Sequence, residues 1–247
     1  MPGAHHVLNP RRPFSADNVC ALAVMTKAPR PGQVKTRLVP PLTPEQAAQL
    51  NICFLRDTAA EIVQACGKSA RGVAVYTPAG SEAAYADILP REFALLPQRG
   101  DGFGERLGFA TADLLQCGFS SVCLIDSDSP TVSAKIYART VDLLSQPAER
   151  VVLGPSDDGG YYLIGMKRYW PQLFERLDWS TDRVLKQTKE RAQELNLPVE
   201  LLPSGYDVDD VASLQRLNEE LLARESAADL APCTRKFLAQ LATRKPS

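Results

Sequence analysis

Val19-Cys-Ala-Leu-Ala-Val-Met25, followed almost at once by Lys27-Ala-Pro-Arg-Pro-Gly-Gln-Val-Lys-Thr-Arg-Leu38, is the stretch on which the fold turns. An unbroken apolar run of strand length marks a strand covered on both faces. Here it runs into a loop carrying Lys27, Arg30, Lys35 and Arg37, and no acid appears between Asp17 and Glu45. Turn residues such as Gly32 bring backbone N–H groups close to an anion, while Lys and Arg neutralise its oxygens. A solvated surface loop has the same composition, so the rest of the chain must decide between the two.

Working outward, strand-like apolar runs alternate with helical patterns, the sign of an α/β protein with a mainly parallel sheet and helices on both faces. Strands are expected near Cys20–Thr26, Gly72–Tyr76, Phe93–Leu96, Ser121–Ile125, Arg150–Leu153, Tyr161–Met166 and Val199–Leu202. Thr43-Pro44-Glu45-Gln46 supplies an N-cap, a proline at the first helical position and a Gln at N3, so a helix starts there and runs to Cys66 before Gly67. Further helices are expected near Ser81–Ile88, Gly104–Leu115, Ser133–Leu144, Thr181–Leu195 and Val211–Arg224. Residues 1–18 read as a loose tail, 19–225 as one domain, and 226–247 as an appended helix or tail. Open parallel sheets bind ligands beyond the C-terminal ends of their strands, which is where the loop from Lys27 lies.

Composition narrows the function. The 247 residues have a net charge of −1, with 45% hydrophobic and 23% charged residues, so there is no global field for nucleic acid or anionic membrane. The basic loop is therefore local and suits a small anionic ligand. Six cysteines form no C-x-x-C pair and mostly sit in apolar segments, as reduced thiols of a cytoplasmic protein do. No apolar run approaches the roughly 18 residues a bilayer span needs. The only histidines, His5 and His6, lie in the expected tail, which leaves no Ser-His-Asp, Cys-His or histidine–zinc site within the fold. Acid–base chemistry then falls to Asp, Glu, Lys or Tyr, or to a metal held by oxygen.

Several segments could carry that chemistry. Asp126-Ser-Asp128-Ser-Pro130 follows a strand, and carboxylates at i and i+2 of extended chain share a side where a hard cation could be held; an Asx-turn or helix cap is the structural alternative. Asp207-Val-Asp209-Asp210 precedes an amphipathic helix that Asp210 is expected to cap, leaving Asp207 and Asp209 to face the sheet edge. Ser156-Asp-Asp-Gly-Gly160 fits either a hairpin turn or a backbone approach to a ligand through Gly159 and Gly160. Of the following pair, Tyr161 and Tyr162, one should be core and the other face the cleft. Gly100-Asp-Gly-Phe-Gly-Glu-Arg-Leu107 lacks the third glycine of G-x-G-x-x-G, yet could bring Asp101 and Arg106 towards a phosphate. Trp179-Ser180 before a Ser/Thr cap is either a hydrophobic staple or a wall of an acceptor pocket.

In order, K-x-P-x-x-G-x-x-K-T-R-L, G-D-x-x-x-R-L, S-D-x-P, D-D-G-G-Y-Y-L-I-G and D-x-D before the last helix resemble the nucleotide-diphospho-sugar transferase (GT-A) superfamily. They are most similar to its bacterial family of small glycosyltransferase-like proteins, some associated with arsenosugar biosynthesis. The resemblance runs from about Val19 to Leu221. It implies a Rossmann-like GT-A fold binding a nucleotide with Mg²⁺ or Mn²⁺. Carried over, it places Lys35 and Arg37 on phosphates, with Lys27, Arg30, Gly32 and Thr36 in the same loop, and makes Asp128 the principal metal ligand with Asp209 the second. Where relatives commonly have glycine before S-D-x-P, this chain has Asp126, leaving open whether that residue binds metal or only adds negative charge.

Three functions follow from the resemblance. One is a metal-dependent glycosyltransferase using a nucleotide-sugar donor, with Lys35 at the phosphates and Asp157 or Asp158 orienting an acceptor hydroxyl held near Gly159, Gly160, Tyr161, Trp179 and Ser180. A second is a guanylyl- or cytidylyltransferase-like enzyme that condenses an NTP with a phosphorylated small molecule and releases pyrophosphate. The third is a nucleotide-binding domain without turnover. The expected partners are a nucleotide sugar or NTP and a small acceptor, with no nucleic acid; the sequence leaves a homodimer open.

Overall fold

The computed structural model describes residues 5–14, 18–222 and 229–243. Its strands are β1 His6–Val7, β2 Cys20–Lys27, β3 Ala70–Thr77, β4 Ala94–Pro97, β5 Ser121–Ile125, β6 Val151–Pro155, β7 Tyr161–Met166 and β8 Val199–Leu201. Its helices are α1 Pro44–Cys66, α2 Phe103–Gln116, α3 Ala134–Ser145, α4 Val184–Glu194, α5 Val211–Leu222 and α6 Pro232–Thr243. The strands form one sheet in the order β1-β4-β3-β2-β5-β7-β6-β8. β7 pairs antiparallel with both β5 and β6, and every other pairing is parallel. This is the expected α/β architecture, a mostly parallel sheet with helices on both faces.

β2 lies inside the sheet, and its alternation divides two cores. Leu22 and Val24 join Leu55, Ala59 and Ile62 of α1 and Tyr137 and Val141 of α3 on one face. Ala21 and Ala23 face Leu107, Ala110 and Leu114 of α2 on the other, where Ala192 of α4 also packs. A third cluster joins Leu50 and Phe54 of α1 to Leu214, Leu217 and Leu221 of α5 and Leu238 of α6. Cys20, Cys53, Cys117 and Cys123 are buried, and all six cysteines are unbridged. Among the described residues, no helix is long and apolar enough to cross a membrane.

Helix α1 carries the full capping box: the Gln46 N–H donates to the Thr43 hydroxyl at 3.2 Å and the Thr43 N–H donates to Gln46 Oε1 at 2.8 Å. The segment expected as a helix over Ser81–Ile88 forms only a short 3-10 turn, Glu82–Tyr85, between Pro78 and Pro90. Helix α4 begins at Val184 rather than Thr181, because the Thr181 hydroxyl donates back to the Asp178 carbonyl at 2.6 Å and holds a turn there. Residues 223 and 224, at the expected end of the α5 helix, lie outside the described residues.

Of the expected N-terminal tail, residues 5–14 are described. His6–Val7 pairs with Ala94–Leu95 at the sheet's edge, Leu8 is buried, and the His5 ring lies 3.2 Å from the Phe93 carbonyl. Both histidines sit beside β4, on the far edge of the sheet from β6 and β8. At the other end of the chain, α6 starts at Pro232 and is anchored by buried Asp57 of α1, which accepts the Cys233 N–H at 2.9 Å and the Thr234 N–H at 2.8 Å.

Candidate active site

Tyr162 organises the edge where the site forms. Its ring fills the space over two glycines: a Cβ on Gly154 would come within 2.4 Å of that ring, and one on Gly205 within 3.1 Å. The Tyr162 hydroxyl donates to the Pro203 carbonyl at 2.9 Å. With the ring so placed, the segment after β8 lies against the end of β6, where the Gly205 N–H donates to the Pro155 carbonyl at 2.8 Å and the Asp157 N–H to the Gly205 carbonyl at 3.0 Å. The same segment is then tied to the end of β5, since the Val208 N–H donates to the Asp128 carbonyl at 2.9 Å. Asp209 is thereby brought opposite Asp128. Asp210 accepts the Ser213 N–H at 2.8 Å and caps α5, as expected.

Lys35 closes the arrangement. Its ammonium is 2.8 Å from Asp128 Oδ1, 2.8 Å from Asp209 Oδ1 and 2.7 Å from the Val208 carbonyl. The Lys35 side chain is 4% exposed, against 30% for Asp128 and 44% for Asp209, so the lysine lies beneath two acids that open to the cleft. Burial alone would lower the Lys35 pKa; the Asp128 and then the Asp209 carboxylate outweigh it and hold the pKa above the usual lysine value. Asp209 is likewise held below the usual carboxylate range, because Lys35 and then Arg37 overcome its partial burial.

Asp126 turns back onto its own loop. Oδ1 accepts the N–H groups of Asp128 and Ser129 at 3.3 and 3.2 Å, and Oδ2 accepts the Ser129 hydroxyl at 2.8 Å, the Asx-turn geometry. Burial and then the Asp128 charge push its pKa well above the usual carboxylate range. Asp207 accepts the Ser156 hydroxyl at 3.1 Å, and its pKa too is raised, by burial and by Asp158 and Asp209.

A cleft of about 850 Å³ opens over these residues. Its walls bring together Arg37, Asp126, Asp128, Asp157, Asp158, Gly160, Tyr161, Trp179, Ser180 and Asp209 from the sequence-derived set. Tyr162, fully buried, is the core member of its pair, while Tyr161 is half-buried beside the cleft. Gly159 stands just outside at φ +87°, where a Cβ would strike the Asp182 backbone at 2.2 Å. The segment around it is a hairpin turn whose Asp157, Asp158 and Gly160 also line the cleft.

Lys27, Arg30, Gly32, Thr36, Asp101 and Arg106 are not among the lining residues. For Arg106 the cause is visible: its guanidinium donates to the carbonyls of Gly100 and Asp101 at 3.2 and 3.3 Å. Glu105 accepts the N–H groups of Asp101 and Gly102 at 2.9 and 3.3 Å, so the start of α2 is closed by its own helix.

Several polar and aromatic lining residues lay outside the candidate set, Arg216 and Phe103 among them. Arg216 donates to Asp157 at 2.7 Å and lies 3.8 Å from the centre of the Tyr206 ring. Phe103, 55% exposed, meets Trp179 edge to face with ring centroids 5.1 Å apart. Asp182 and Ser127 line the cleft as well. A large apolar residue at the first position of a helix, as Phe103 is, was the one signal available. Among the described residues, eight aspartates line the cleft against two arginines. Such a surface repels an anionic ligand unless cations accompany it. The two carboxylates and the carbonyl around Lys35 are hard oxygen donors of the kind Mg²⁺ and Mn²⁺ select.

Strand order and the likeness to a solved relative of 27% identity together define the class: the chain has the nucleotide-diphospho-sugar transferase fold. Residues 60–181 match the model of DUF2064, a family described as an uncharacterized protein conserved in bacteria. The chain is similar to a solved protein of Desulfovibrio desulfuricans G20, provisionally described as a nucleotide-diphospho-sugar transferase, at 27% identity over 93% of this chain and 96% of that one, with TM-score 0.81. It is also similar to CMP:2-keto-3-deoxy-manno-octonic acid synthetase complexed with CTP, at 12% identity over 85% of this chain and all of that one, TM-score 0.54. A third likeness is to 4-diphosphocytidyl-2C-methyl-D-erythritol synthase from Anaerococcus prevotii DSM 20548, at 11% identity over 84% of this chain and 97% of that one, TM-score 0.53. The last two likenesses concern the fold alone. No curated protein matches the sequence.

Proposed function

We propose that the protein is a metal-dependent glycosyltransferase that takes its sugar from a nucleotide-sugar donor. The charge balance of the cleft carries this reading. Of its two arginines, Arg216 is held by Asp157, while Arg37 is 69% exposed and only 4.0 Å from its nearest acid, Asp210. Among the described residues Arg37, only loosely paired with Asp210, is the more exposed guanidinium of the cleft and suits one diphosphate, while the eight aspartates disfavour a second phosphorylated ligand. The acceptor is then a neutral or cationic molecule presenting a hydroxyl.

Asp128 and Asp209 would hold Mg²⁺ or Mn²⁺. Such an ion neutralises charge on a departing diphosphate. Arg37 binds the donor's phosphates and steadies the charge that develops on them. Asp158 lines the cleft with Oδ1 accepting the Gly160 N–H at 2.9 Å, which fixes its carboxylate to orient the acceptor hydroxyl and take its proton. Asp157, committed to Arg216, is the weaker candidate for that role. Phe103 and Trp179 form an aromatic wall for the acceptor or the base. Asp126 shapes the turn that presents Asp128.

The Lys35-Thr36-Arg37 loop, which resembles that of guanylyl- and cytidylyltransferases, favours a second reading as a nucleotidyltransferase. Incubation with common nucleotide sugars or with each NTP, plus Mn²⁺ and candidate acceptors, separates the two. Release of nucleoside diphosphate from a nucleotide sugar, lost in Asp128→Asn, is the expected result. Pyrophosphate release from an NTP overturns it in favour of the second reading, and nucleotide binding without any product overturns both.

A further inference from the structure

Resting on the metal-dependent reading above, we propose that the Lys35 ammonium and the divalent cation compete for one oxygen cradle, so that metal binding releases Lys35 into the cleft to meet the substrate's phosphates. An ammonium has three hydrogens. Here three acceptors, Asp128 Oδ1, Asp209 Oδ1 and the Val208 carbonyl, lie 2.7 to 2.8 Å from Nζ. Two hydrogen bonds and an ion pair thus surround the ammonium, so a lysine that binds phosphate must first leave these partners.

The cradle's chemistry names its competitor. Two carboxylates and a backbone carbonyl are hard oxygens, the donors that Mg²⁺ and Mn²⁺ prefer to any ammonium. Access differs for the two cations. Lys35 reaches the oxygens from beneath, with its side chain 4% exposed, whereas the acids are 30% and 44% exposed and can be approached from the cleft. Two cations sharing these oxygens would repel each other at short range, and the doubly charged one gains more from the carboxylates.

The backbone carries a second, independent sign. Lys35 has φ +49° and ψ +36°, a left-handed conformation costly for a residue with a Cβ. The bond to Asp209 and Val208 spans more than 170 residues of sequence, so the long-range clamp holds this conformation rather than local chain preference. Gly32, three residues earlier at φ +72° with nothing within 4 Å of its Cβ position, leaves the loop room to move. Once out of the cradle, the ammonium would join Arg37, two residues on, which already lines the cleft.

The test uses the full-length wild-type protein and an acylating reagent, N-hydroxysuccinimidyl acetate, with each lysine followed by peptide mass spectrometry. Without metal, Lys35 should react at least about tenfold more slowly than Lys27, which is exposed. Saturating Mn²⁺ without nucleotide should raise the Lys35 rate at least about tenfold and leave Lys27 unchanged. Lys35 that stays protected at saturation overturns the competition while the metal reading stands. Calorimetry showing no Mn²⁺ binding, or equal binding in Asp128→Asn, overturns both.

Lys35→Met supplies a second measurement. Mn²⁺ alone should bind about tenfold more tightly, and UDP, GDP or CDP in the presence of Mn²⁺ about tenfold more weakly, because a competitor for one and a partner for the other has been removed. Both affinities falling together, or nucleotide affinity unchanged, overturns the proposal in favour of a fixed structural lysine.

Discussion

Residues 27–38 and residues 100–107 both follow parallel strands at the same edge of the sheet, and both combine glycine with arginine, yet they end in opposite states. The second loop is closed by its own next turn of chain: Glu105 takes the N–H groups of Asp101 and Gly102, and Arg106 takes the carbonyls of Gly100 and Asp101. In the first, no acid lies near in sequence. Its lysine crosses to Asp128 and Asp209, and its Arg37 stays 69% exposed. Composition makes the two loops alike, and the presence of a partner within a few residues separates them. A loop that can satisfy itself locally has little left to offer a ligand.

The largest way to break this contrast is Lys35→Met. Stranding two facing carboxylates should destabilise the fold by about 2 kcal/mol at pH 7, less than for a fully buried pair because both acids are partly open. The pH dependence has a definite sign. Asp209 has a folded pKa below its ordinary value, so its contribution is present above about pH 4 and lost as pH falls through the folded value. In the variant that contribution is gone, so the stability gap between the two proteins should narrow on acidification. Denaturant unfolding at pH 7 and below pH 4 measures it, and a constant gap would mean that the lysine's role is packing rather than charge.

The contrast also explains what the chain disclosed in advance. Strands β5 and β7 and the start of α1 were legible to the residue, because an apolar run, a Thr-Pro cap and a closing glycine are local signals. The Asp210 cap was legible for the same reason. The partners that Lys35 has in this structure were not legible, since they come from Asp128, Val208 and Asp209, and no spacing announces a contact across more than 170 residues. Both oxygens of Asp126 serve its own turn, the structural alternative that the sequence also allowed. Arg106, expected near a phosphate, is turned onto its own loop, and here a local signal existed. Glu105 is three residues past Gly102, the spacing of a capping box, and that local signal was available.

Arg37→Ala sharpens the comparison at lower amplitude. This side chain lines the cleft with only a long, exposed ion pair to Asp210, so its loss should leave stability unchanged and weaken nucleotide binding about tenfold. Equal nucleotide affinity in calorimetry would place the donor elsewhere in the cleft. Glu105→Ala should do the reverse, lowering the melting temperature slightly with nucleotide affinity intact. The Glu105 pKa lies below its ordinary value because the Asp101 and then the Gly102 N–H donate to the carboxylate. Its contribution is therefore present above about pH 4.3 and lost as pH falls through the folded value, so the variant's deficit should fade in acid.

Arg106→Ala carries the smallest expected effect and the clearest meaning. The residue stands in a glycine-bearing loop at the edge where the ligand is expected, and by composition alone it would rank with Arg37. In the structure its guanidinium serves two carbonyls of its own loop, at 3.2 and 3.3 Å, and it is not among the residues lining the cleft. Those carbonyls can turn to water when the guanidinium is removed, so stability should change by no more than about 0.5 kcal/mol. Nucleotide affinity should match the wild type. A loss comparable to that of Arg37→Ala would mean that the loop opens when nucleotide binds, with Arg106 exchanging its own carbonyls for phosphate oxygens, and the two loops would then differ in when they engage rather than whether they do.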